Sequence, residues 1–588
     1  MVVTSNAPND RPINTTMKNI SIKRLWLIIL LAYVGQVNAQ TPPITQWAKG
    51  IGATYNESAS SICSDNNGHS YIVGAYSKDL VICNDTLPAV NSPTSGNGTQ
   101  NLFIWKFDSA GNCLWTKTGI SIVPMVSGGA IGPQINDIEY FNGNIYCVGV
   151  FTDSMIILND TLFNPSCTSY CTTSFILKID TAGNLIWGKC FQGSTSYSSV
   201  SKITPYNGGV FVSGTYQGEL AIDTIQLNAP HIWTYNGYLL KMNASGKCIW
   251  GQNIGTSHVG CSVTDCAFDN NKNLYFTGDY GDSLVFSSGT ILHDVIPAWA
   301  RSTYFAKYDT SGNFIWAKGG TAKMGGYPNN QNISFNNSDY IFFNATFTDS
   351  VRIGSTTFTT TPNYYKDILV KIDSSGNFIW AQATGNKIST QNFGSIIESN
   401  NSGFILFTGL INTLIVGSDT MPSNSGSLDF LLTQYDNNGN VLWNKYFGGA
   451  SQEASTDVHC NNDIIYLTGR TMSDYNIDTF NIINKGGGDV LIVKLKSRSL
   501  NTNTSQEIPP LNTTASIYPN PTSDQFFIQT NATYKLNVDL YDVNGRHVFS
   551  ASVIDKSNIN VATLDNGAYT LTIKTADRVI NKKLIILR

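Results

Sequence analysis

The chain has 588 residues, enough for two domains plus processing segments. Its 36 basic and 40 acidic residues give a formal net charge of -4, so overall charge provides no attraction to nucleic acid or to an anionic membrane. Thr, Asn, Ser and Gly are abundant, Lys and Glu are scarce, and long amphipathic helical patterns are absent. We therefore expect an all-β protein that works outside the cytosol.

The amino-terminal 39 residues have the pattern of a signal peptide. A second methionine, Met17, precedes a basic stretch at 18–24 and an apolar run at 25–34. We predict cleavage between Ala39 and Gln40, where a small residue occupies the cleavage position. The apolar run is about ten residues long, half of the roughly 20 that span a bilayer. An uncleaved anchor is the alternative, and translation starts at either Met1 or Met17.

Residues 40–496 contain a repeated hairpin, whose clearest copy is 304–318, YFAKYDTSGNFIWAK. Asp or Asn opens each turn, Gly closes it and Trp follows, which suits a type I turn ending in a residue with positive φ. The turns are 108–111, 180–183, 243–246, 309–312, 373–376 and 436–439, followed by Trp115, Trp187, Trp250, Trp316, Trp380 and Trp443. Asp caps such turns, so we interpret these carboxylates as structural and the tryptophans as core.

A seventh tryptophan, Trp47, has no hairpin strand before it. Successive tryptophans from Trp47 onward are 68, 72, 63, 66, 64 and 63 residues apart, and a Tyr-x-x-Gly strand such as 71–74 keeps the same spacing. The last copy of the first hairpin strand, 490–495, has no turn and no Trp after it. The strand around Trp47 can supply the missing strand. We therefore predict a seven-bladed β-propeller closed by its first and last strands.

Each blade is predicted to have four strands, A to D. Tight turns join A to B and C to D, so both turns fall on one face, and the long B-to-C connections fall on the other. Exposed aromatic residues beside polar groups stack on sugars or anchor peptides. The predicted ligand-binding residues in these connections are Trp233, Tyr235, Trp299, Arg301, Tyr364 and Tyr365. The alternative is that the loop tryptophans fold back onto the blade.

No linear catalytic or metal-binding motif is present in the sequence. Among eleven cysteines, Cys167 and Cys171 either pair or remain thiols, and Cys113 and Cys248, which share a repeat position, are expected to serve packing rather than chemistry. The Asp-Asn-Asn-Gly run at 65–68 lacks the remaining ligands of an EF-hand loop and is interpreted as a turn. We expect no catalytic residue, no metal and no cofactor, and bound calcium has no support.

The run Leu-x-Lys-x-Asp-x-x-Gly-Asn-x-x-Trp, with the Tyr-x-x-Gly strand and Gly pairs such as Gly319-Gly320 and Gly448-Gly449, resembles the repeat of bacterial seven-bladed β-propeller proteins. The likeness covers about three quarters of the chain. It implies a fold rather than an activity, because this family is defined by its architecture. A partial likeness to the quinone-dependent dehydrogenase propellers concerns their Asp-x-x-x-Gly-x-x-x-Trp docking motif, but those are eight-bladed.

Beyond a linker at 497–514 that is rich in Ser, Thr, Asn and Pro, residues 515–588 alternate as in a small immunoglobulin-like β-sandwich. This segment resembles the C-terminal sorting domain of the type IX secretion system of Bacteroidetes-type bacteria. The likeness lies in Tyr518-Pro519-Asn520-Pro521, in 540–546 with Asn544-Gly545, in 564–569 with Gly567 and Tyr569, and in 582–586 with Lys582-Lys583. It implies passage through the type IX machinery. An ordinary immunoglobulin-like binding module is the alternative.

These features predict a secreted or surface-displayed propeller that acts as a non-catalytic binding or adhesion module. Its expected ligand is a polysaccharide or another surface protein, with no nucleic-acid partner and no transmembrane segment in the mature chain. The alternative is an extracellular glycan hydrolase or lyase. Its catalytic residues would converge in the propeller channel from separate blades and leave no linear motif.

Overall fold

The computed structural model describes residues 41–83, 85–89, 101–121, 132–163, 171–193, 197–254, 259–286, 288–293, 301–323, 331–335, 340–360, 365–384, 396–400, 403–411, 414–416, 419–421, 428–497, 515–530, 536–543, 546–553, 557–574 and 579–588. The chain divides into two units, Met1–Arg498 and Ser499–Arg588. Every regular element in the described ranges is a β-strand, which confirms the predicted all-β class. None of these ranges forms a helix with the length and apolar character needed to cross a bilayer.

The first unit consists of one strand followed by seven repeats. Each repeat has an A strand, a B strand, a short two-stranded hairpin, a C strand and, except in the last repeat, a D strand. The elements are the single strand β1 (Ile44–Ile51); in repeat 1, β2 (Glu57–Ser64), β3 (Ser70–Tyr76), β4 (Leu80–Ile82), β5 (Asp85–Leu87), β6 (Asn101–Phe107) and β7 (Cys113–Ser121); in repeat 2, β8 (Gln134–Phe141), β9 (Asn144–Thr152), β10 (Ser154–Ile157), β11 (Asp160–Phe163), β12 (Thr172–Asp180) and β13 (Leu185–Cys190); in repeat 3, β14 (Ser198–Tyr206), β15 (Gly209–Tyr216), β16 (Glu219–Ile222), β17 (Ile225–Asn228), β18 (Asn236–Asn243) and β19 (Cys248–Ile254); in repeat 4, β20 (Asp265–Phe268), β21 (Leu274–Tyr280), β22 (Ser283–Val285), β23 (Ile291–His293), β24 (Ser302–Tyr308) and β25 (Phe314–Lys323); in repeat 5, β26 (Asn332–Phe335), β27 (Tyr340–Phe347), β28 (Ser350–Ile353), β29 (Thr356–Thr359), β30 (Lys366–Asp373) and β31 (Phe378–Ala383); in repeat 6, β32 (Ile396–Asn400), β33 (Gly403–Ile411), β34 (Leu414–Val416), β35 (Asp419–Met421), β36 (Leu428–Tyr435) and β37 (Val441–Phe447); and in repeat 7, β38 (Ala454–Asn461), β39 (Ile464–Thr471), β40 (Tyr475–Ile477), β41 (Phe480–Ile482) and β42 (Asp489–Lys496).

Within each repeat, the strands pair antiparallel in the order A, B, C, D. Strand β1 pairs with β42, with Ile44 opposite Lys496 and Ile51 opposite Val490, and so takes the D position of the repeat 7 sheet. Each A strand contacts the A strand of the next repeat, and β38 of repeat 7 contacts β2 of repeat 1. The apolar cores lie between the sheets of neighbouring repeats, and the arrangement is propeller-like.

The short hairpins are a feature that the sequence analysis missed, because it described the B-to-C connections only as long and variable. Each connection instead begins with two strands of three or four residues. In repeats 2 and 5 the hairpin also pairs with the D strand of the preceding repeat, β10 with β7 and β28 with β25. These hairpins therefore extend the neighbouring sheet.

A disulfide that the sequence did not predict lies beside the hairpin of repeat 1. Cys83, next to β4, forms a disulfide with Cys113 on β7, so the expectation that Cys113 serves only packing was wrong. Cys248, at the equivalent position of repeat 3, is a buried free thiol, as packing would require. Cys171 is disulfide-bonded, and Cys167, with which it was expected either to pair or to remain a thiol, lies outside the described residues.

The predicted Asp-x-x-Gly turns are confirmed. In repeat 1, Asp108 Oδ1 accepts hydrogen bonds from the backbone N–H groups of Ala110 and Asn112 at 2.9 and 2.8 Å. Gly111 has a φ of +83°, which glycine adopts without the steric cost of a Cβ. Hydrogen bonds from Asn112 hold the pKa of Asp108 below its usual value, so this carboxylate is an ionised turn cap.

The Lys and Trp of the repeat motif both bind the turn of the next repeat. Lys106 Nζ and Trp115 Nε1 donate to the Thr181 carbonyl oxygen at 2.9 and 3.2 Å. The same pair of donors recurs for Lys178 and Trp187 on Ala244, Lys307 and Trp316 on Ser374, and Lys371 and Trp380 on Asn437. The motif therefore encodes a contact between repeats as well as a hairpin.

The same contact joins repeat 7 to repeat 1, but its Trp comes from β1. Lys494 Nζ and Trp47 Nε1 donate to the Ser109 carbonyl oxygen at 2.9 and 3.2 Å. A Cβ on Gly111 would lie 2.8 Å from the Trp47 ring, so the turn glycine permits this packing. Trp47 and Trp443 are each 5% exposed and belong to the core, as predicted for the repeat tryptophans; the other five are half-buried.

The second unit contains two sheets. One has the order β43 (Ala515–Tyr518), β44 (Gln525–Thr530), β47 (Ser557–Asn560); the other has the order β46 (His547–Val553), β45 (Leu536–Tyr541), β48 (Gly567–Lys574), β49 (Val579–Ile586). Phe526 and Ile528 of the first sheet share one buried cluster with Leu571 and Leu584 of the second. The unit thus has its own core.

Candidate functional site

The A strands of all seven repeats line one cavity of about 470 Å³, which we call the A-strand cavity. Its volume lies in the usual range for small-molecule sites. The ionisable residues that line it are Asp137, Glu139, Lys202, Asp265, Glu398, Asp457 and His459. Five carboxyl groups therefore face one lysine and one histidine, and Lys202 is the one Lys or Arg among the described lining residues.

Strand register divides the lining side chains into two layers. Residues of the first layer lie opposite the B-strand position of Val73, the third residue of the Tyr-x-x-Gly run 71–74, or its equivalent in the other repeats. They are Ser61, Asp137, Lys202, Asp265, Asn332 and Asp457. The second layer, two residues later on each A strand, holds Glu139, Thr204, Ala267, Ser334, Glu398 and His459. Residues two apart in a strand point to the same face, so the two layers share the cavity.

The first-layer aspartates join neighbouring A strands. Asp137 Oδ2 accepts the Ile203 backbone N–H at 2.9 Å. The same bond runs from Ile333 to Asp265 at 2.8 Å and from Ile62 to Asp457 at 2.9 Å. In β2, β8, β14 and β38 a β-bulge immediately precedes the first-layer residue and re-aims it, as bulges do next to sites. These three carboxylates therefore have a structural task.

Lys202 holds two carboxylates of the neighbouring repeat. Its Nζ lies 3.0 Å from Asp137 Oδ1 and 3.2 Å from Glu139 Oε1. Burial alone would lower the pKa of Lys202, but Asp137 and Glu139 raise it well above its ordinary value, so the ammonium stays charged. Lys202 thus compensates one side of the A-strand cavity.

Ser61 links two first-layer carboxyl groups. Its Oγ lies 2.6 Å from Asp457 Oδ2 and 3.3 Å from Asp137 Oδ1. A hydroxyl has one hydrogen to donate, so both contacts are hydrogen bonds only when one carboxyl group carries a proton. Burial raises the pKa of Asp457 to about 6, so Asp457 takes up such a proton as the pH falls below about 6.

In the second layer, Thr204 and Ser334 also bond to neighbouring A strands, and Glu139, Glu398 and His459 are its titratable residues. Burial raises the pKa of Glu139 to about 7 despite Lys202, and it raises the pKa of Glu398 well above its ordinary value, with Glu139 adding to the effect. Burial lowers the pKa of His459 to about 4, so this imidazole is neutral at neutral pH. The layer can therefore hold protons or attract a cation.

We expect the free energy of unfolding to fall as the pH is raised from about 5 to 8. The pKa values of Glu139, Asp265 and Asp457 are about 7, 6 and 6 in the folded chain, whereas unfolded carboxyl groups titrate near 4. Between those values the folded state retains protons that the unfolded state has lost, so a rising pH favours unfolding.

His459 acts in the opposite direction, because its folded pKa of about 4 lies below the unfolded value near 6.5. Its contribution is lost as the pH falls below about 6.5, but one imidazole opposes three carboxyl groups. Urea unfolding at pH 5, 6, 7 and 8 measures the slope. Glu139→Gln should flatten it, and Asp160→Asn on an exposed hairpin should not; a profile that rises with pH would contradict the assignment.

The structure places Trp233 and Tyr235 at the end of the B-to-C connection of repeat 3. Trp233 is 84% exposed and Tyr235 is 44% exposed, with the Tyr235 ring 5.2 Å from that of Tyr197. The alternative that Trp233 folds back onto the sheet is therefore wrong. The pair forms an aromatic surface that we call the repeat 3 rim.

Arg301 lies close to this rim through a shared segment. Its guanidinium donates to the Asp279 carboxylate and to the Val259 and Gly260 carbonyl oxygens at 3.4 and 3.3 Å. The adjacent Cys261 N–H donates to the Tyr235 carbonyl oxygen at 2.8 Å. Arg301 therefore supports the backbone behind the rim, and its ligand-binding role stays a prediction.

The remaining predicted rim residues are not brought to the same place by the described residues. Tyr365 precedes β30 in repeat 5, and Trp299 and Tyr364 lie outside the described residues. The predicted cleavage site, Ala39 and Gln40, also lies outside them.

In the second unit, the predicted sorting residues serve several tasks. Asn520 accepts the Ile585 N–H at 2.8 Å and donates to the Lys583 carbonyl oxygen at 2.7 Å, so it fastens the first motif to β49. Tyr569 OH donates to the Asp565 carbonyl oxygen at 2.8 Å. Four of the predicted residues are exposed: Tyr518, at 43%, Pro519, Pro521 and Lys583. Lys582 is half-buried, and Gly567 is the first residue of β48. Asn544 and Gly545 lie outside the described residues.

Sequence reasoning missed every ionisable residue of the A-strand cavity, although a signal existed. The runs Asn136-Asp137-Ile138-Glu139 and Thr456-Asp457-Val458-His459 each place charged or titratable residues on both sides of a buried aliphatic residue of an A strand. Charges at inward-facing strand positions indicate a site, since burial of an unpaired charge is costly.

Comparison with known proteins identifies one part of the chain. The profile of the secretion system C-terminal sorting domain matches residues 516–587. An uncharacterized WD repeat-containing protein of Acanthamoeba polyphaga mimivirus is 24% identical over 404 residues, which cover 57% of this chain and 28% of that protein. The chain thus spans just over a quarter of that relative.

Three of the solved structures with a similar chain trace have low sequence identity to this chain. Drosophila Semaphorin 2a is 8% identical, covering 93% of this chain and 98% of its own, with a TM-score of 0.34. A Synechocystis apocarotenoid oxygenase is 10% identical; the match covers 74% of this chain and 89% of that protein, with a TM-score of 0.34. A Trypanosoma rangeli sialidase is 7% identical; the match covers 90% of this chain and 84% of that protein, with a TM-score of 0.30.

The sorting-domain match and the residues that carry it lead to a conclusion about location. The match agrees with the resemblance expected from the four sequence motifs between Tyr518 and Ile586. The carboxyl-terminal segment is a sorting domain, and the protein is exported through the type IX secretion system to the cell surface or the medium.

Proposed function

We propose that the first unit is a closed seven-bladed β-propeller that acts as a non-catalytic binding or adhesion module, delivered to its place of work by an immunoglobulin-like sorting domain. The pairing of β1 with β42 and the Lys494 and Trp47 contacts with Ser109 support closure. The ligand is a polysaccharide of the cell surroundings, bound at the repeat 3 rim.

The observation that carries this proposal is the exposure of Trp233 on a backbone held by hydrogen bonds. Gln217 Nε2 donates to the Trp233 carbonyl oxygen at 3.3 Å, and the Thr234 N–H donates to the His231 carbonyl oxygen at 3.2 Å. A fixed loop loses little conformational freedom on binding, so an exposed indole on it is prepared for a ligand. Exposed tryptophan beside polar groups favours a sugar ring, which stacks on the indole and hydrogen-bonds around it.

Trp233→Ala is expected to abolish retention of the full chain on immobilised polysaccharides. Retention and release of new reducing ends are measured together on a panel of bacterial and plant glycans. Phe163→Ala is the matched control, because Phe163 is an aromatic residue that is 56% exposed at another hairpin. Retention without new reducing ends, lost in Trp233→Ala alone, is the expected result. Equal retention of both variants would contradict the rim assignment.

A second candidate function is an extracellular glycan hydrolase or lyase that uses the A-strand cavity. One observation favours it: Glu398 has a pKa well above the ordinary value and Asp137 is paired with Lys202, so the cavity has a protonated acid and an ionised carboxylate. Turnover of any glycan, abolished by Glu398→Gln and retained in Trp233→Ala, would establish this function and contradict the non-catalytic one.

A further inference from the structure

The turn of the short hairpin has the same backbone conformation in five of the repeats. In these repeats the residue that follows the first hairpin strand has a φ of 52 to 58°; the residues are Cys83, Leu158, Asp223, Gly354 and Asp478. We call this position the hairpin corner. Because the backbone conformation and the place in the repeat are shared, a side chain at any corner leaves the backbone from an equivalent point. Different corner residues can therefore make equivalent contacts.

In repeat 3 the carboxylate at the hairpin corner joins two D strands. Asp223 Oδ2 accepts the backbone N–H of Cys248, which lies two residues before Trp250 on β19, at 2.7 Å. Asp223 Oδ1 accepts a hydrogen bond from Lys189 Nζ at 2.5 Å. Lys189 lies two residues after Trp187 on β13, the D strand of repeat 2. Asp223 therefore fastens the hairpin to the D strand of its own repeat and to that of the preceding repeat.

The same arrangement recurs in repeat 7, where β1 supplies the D strand. Asp478 Oδ2 accepts the backbone N–H of Thr45, two residues before Trp47, at 3.2 Å, and the Thr45 hydroxyl at 2.5 Å. Lys445 Nζ, two residues after Trp443 on β37 of repeat 6, donates to both Asp478 carboxylate oxygens at 2.9 Å. Two repeats thus share one device, which we call the carboxylate clamp.

Repeat 1 makes the equivalent link with a covalent bond. Cys83 occupies the hairpin corner, Cys113 lies two residues before Trp115 on β7, and the two form a disulfide. Lys49, two residues after Trp47 on β1, holds the position of the clamp lysine. A disulfide sulfur carries no charge, so residue 83 offers Lys49 no carboxylate. The disulfide therefore makes the contact between corner and D strand that a carboxylate makes in repeats 3 and 7.

We propose that the disulfide between Cys83 and Cys113 is a redox-sensitive clamp that fastens the hairpin of repeat 1 after the chain has left the cytosol. Thiols stay reduced in the cytosol and form disulfides in oxidising surroundings. As the S–S bond forms, both thiols lose their hydrogens, and two electrons and two protons pass to a disulfide compound of the surroundings, which becomes two thiols. Leu80 and Ile82 of the hairpin share a buried cluster with Trp47, so the clamp also supports the contact of repeat 1 with β1. The device is separate from the repeat 3 rim and from polysaccharide binding.

The test is hydrogen exchange of the backbone amides of the full chain, measured by mass spectrometry. In the variant Cys83→Ser with Cys113→Ser, exchange in β4 and β5 should be at least about tenfold faster than in the unaltered chain, because the hairpin opens without its link. The hairpins β16–β17 and β40–β41, fastened by Asp223 and Asp478, are internal controls and should exchange at unchanged rates. The unaltered chain treated with dithiothreitol should behave like the variant. Because dithiothreitol also reduces the disulfide of Cys171, the variant isolates the effect of Cys83 and Cys113.

A second variant, Cys83→Asp with Cys113→Thr, tests whether the disulfide and the carboxylate clamp are equivalent. It offers Lys49 a carboxylate and gives β7 the hydroxyl that Thr45 provides in repeat 7. Exchange in β4 and β5 should be at least about threefold slower than in the double serine variant, because hydrogen bonds replace the lost link, and should not respond to dithiothreitol.

Three outcomes would overturn the proposal: unchanged exchange of β4 and β5 in the double serine variant, equal acceleration of all three hairpins, or exchange in the aspartate and threonine variant as fast as in the serine variant. Circular dichroism of each variant confirms folding. If the serine variant does not fold, the unaltered chain with and without dithiothreitol provides the comparison. Unchanged exchange in β4 and β5 after reduction would then reject the clamp.

Discussion

Replacing Trp47 by alanine is expected to lower the free energy of unfolding by about 3–5 kcal/mol, the usual cost of truncating a buried tryptophan. Trp47 is 5% exposed, donates to the Ser109 carbonyl oxygen at 3.2 Å and packs on Phe107 with 6.4 Å between ring centroids. The variant loses the contact of β1 with repeat 1 as well as the ring. Urea unfolding of the full chain at pH 7 measures the loss.

Trp233→Ala is the matched control, because Trp233 is 84% exposed. Substitutions at exposed positions usually change stability by less than about 0.5 kcal/mol. If Trp47→Ala were as stable as Trp233→Ala, the strand β1 would not hold repeats 1 and 7 together. That result would also remove the main support for a closed propeller.

Lys202→Met is expected to lower the free energy of unfolding by about 3 kcal/mol at pH 8, near the lower limit for breaking a buried ion pair. The change leaves Asp137 and Glu139 without their ammonium partner inside the A-strand cavity. The lower limit applies because 26% of the Lys202 side chain is exposed to water. Urea unfolding at pH 8 and pH 5 measures the change.

The loss should be smaller at pH 5 than at pH 8. Glu139, with a pKa of about 7, then takes up a proton and no longer needs a cation. Lys189→Met is the control, since Lys189 is equally exposed at 27% but has one partner, Asp223, in a surface pair. Such pairs contribute about 0–1 kcal/mol. Equal losses in the two variants would show that the cavity does not isolate its charges from water.

Much of the fold could be predicted because its signals are local. An Asp and a Gly three residues apart define a turn by their own hydrogen bonds and φ angles, as Asp108 and Gly111 show. The period of the tryptophans follows, since five of the seven repeat indoles donate a hydrogen bond to the turn of the next repeat. The orphan strand around Trp47 indicated its partner by elimination, and β1 pairs with β42.

The short hairpins and the disulfide had weaker signals. Strands of three residues, such as β4 and β5, are too short for alternation to distinguish them from loops. Because Cys83 lies beside that missed hairpin, its approach to Cys113 could not be foreseen from a separation of 30 residues. Connectivity of cysteines is not encoded by spacing alone.

The A-strand cavity could not be predicted as a site because its residues come from separate repeats. Lys202 contacts Glu139, which is 63 residues away in sequence, and Ser61 contacts Asp457, which is 396 residues away. The equivalent position holds Ser61 in one repeat, Asp137 in the next and Lys202 in the third, so the residue type is not constant from repeat to repeat. Only the register of A against B strands aligns them.

The pairing of β1 with β42 also sets an order of events for a chain that is synthesised from its amino end. Of the described strands, Ile44–Ile51 is synthesised first, and its pairing partner Asp489–Lys496 is synthesised more than 400 residues later. Contacts this distant in sequence form slowly, and until then the sheet of repeat 7 has an unpaired edge open to other chains. A chain truncated before Asp489 would keep that edge for its whole lifetime.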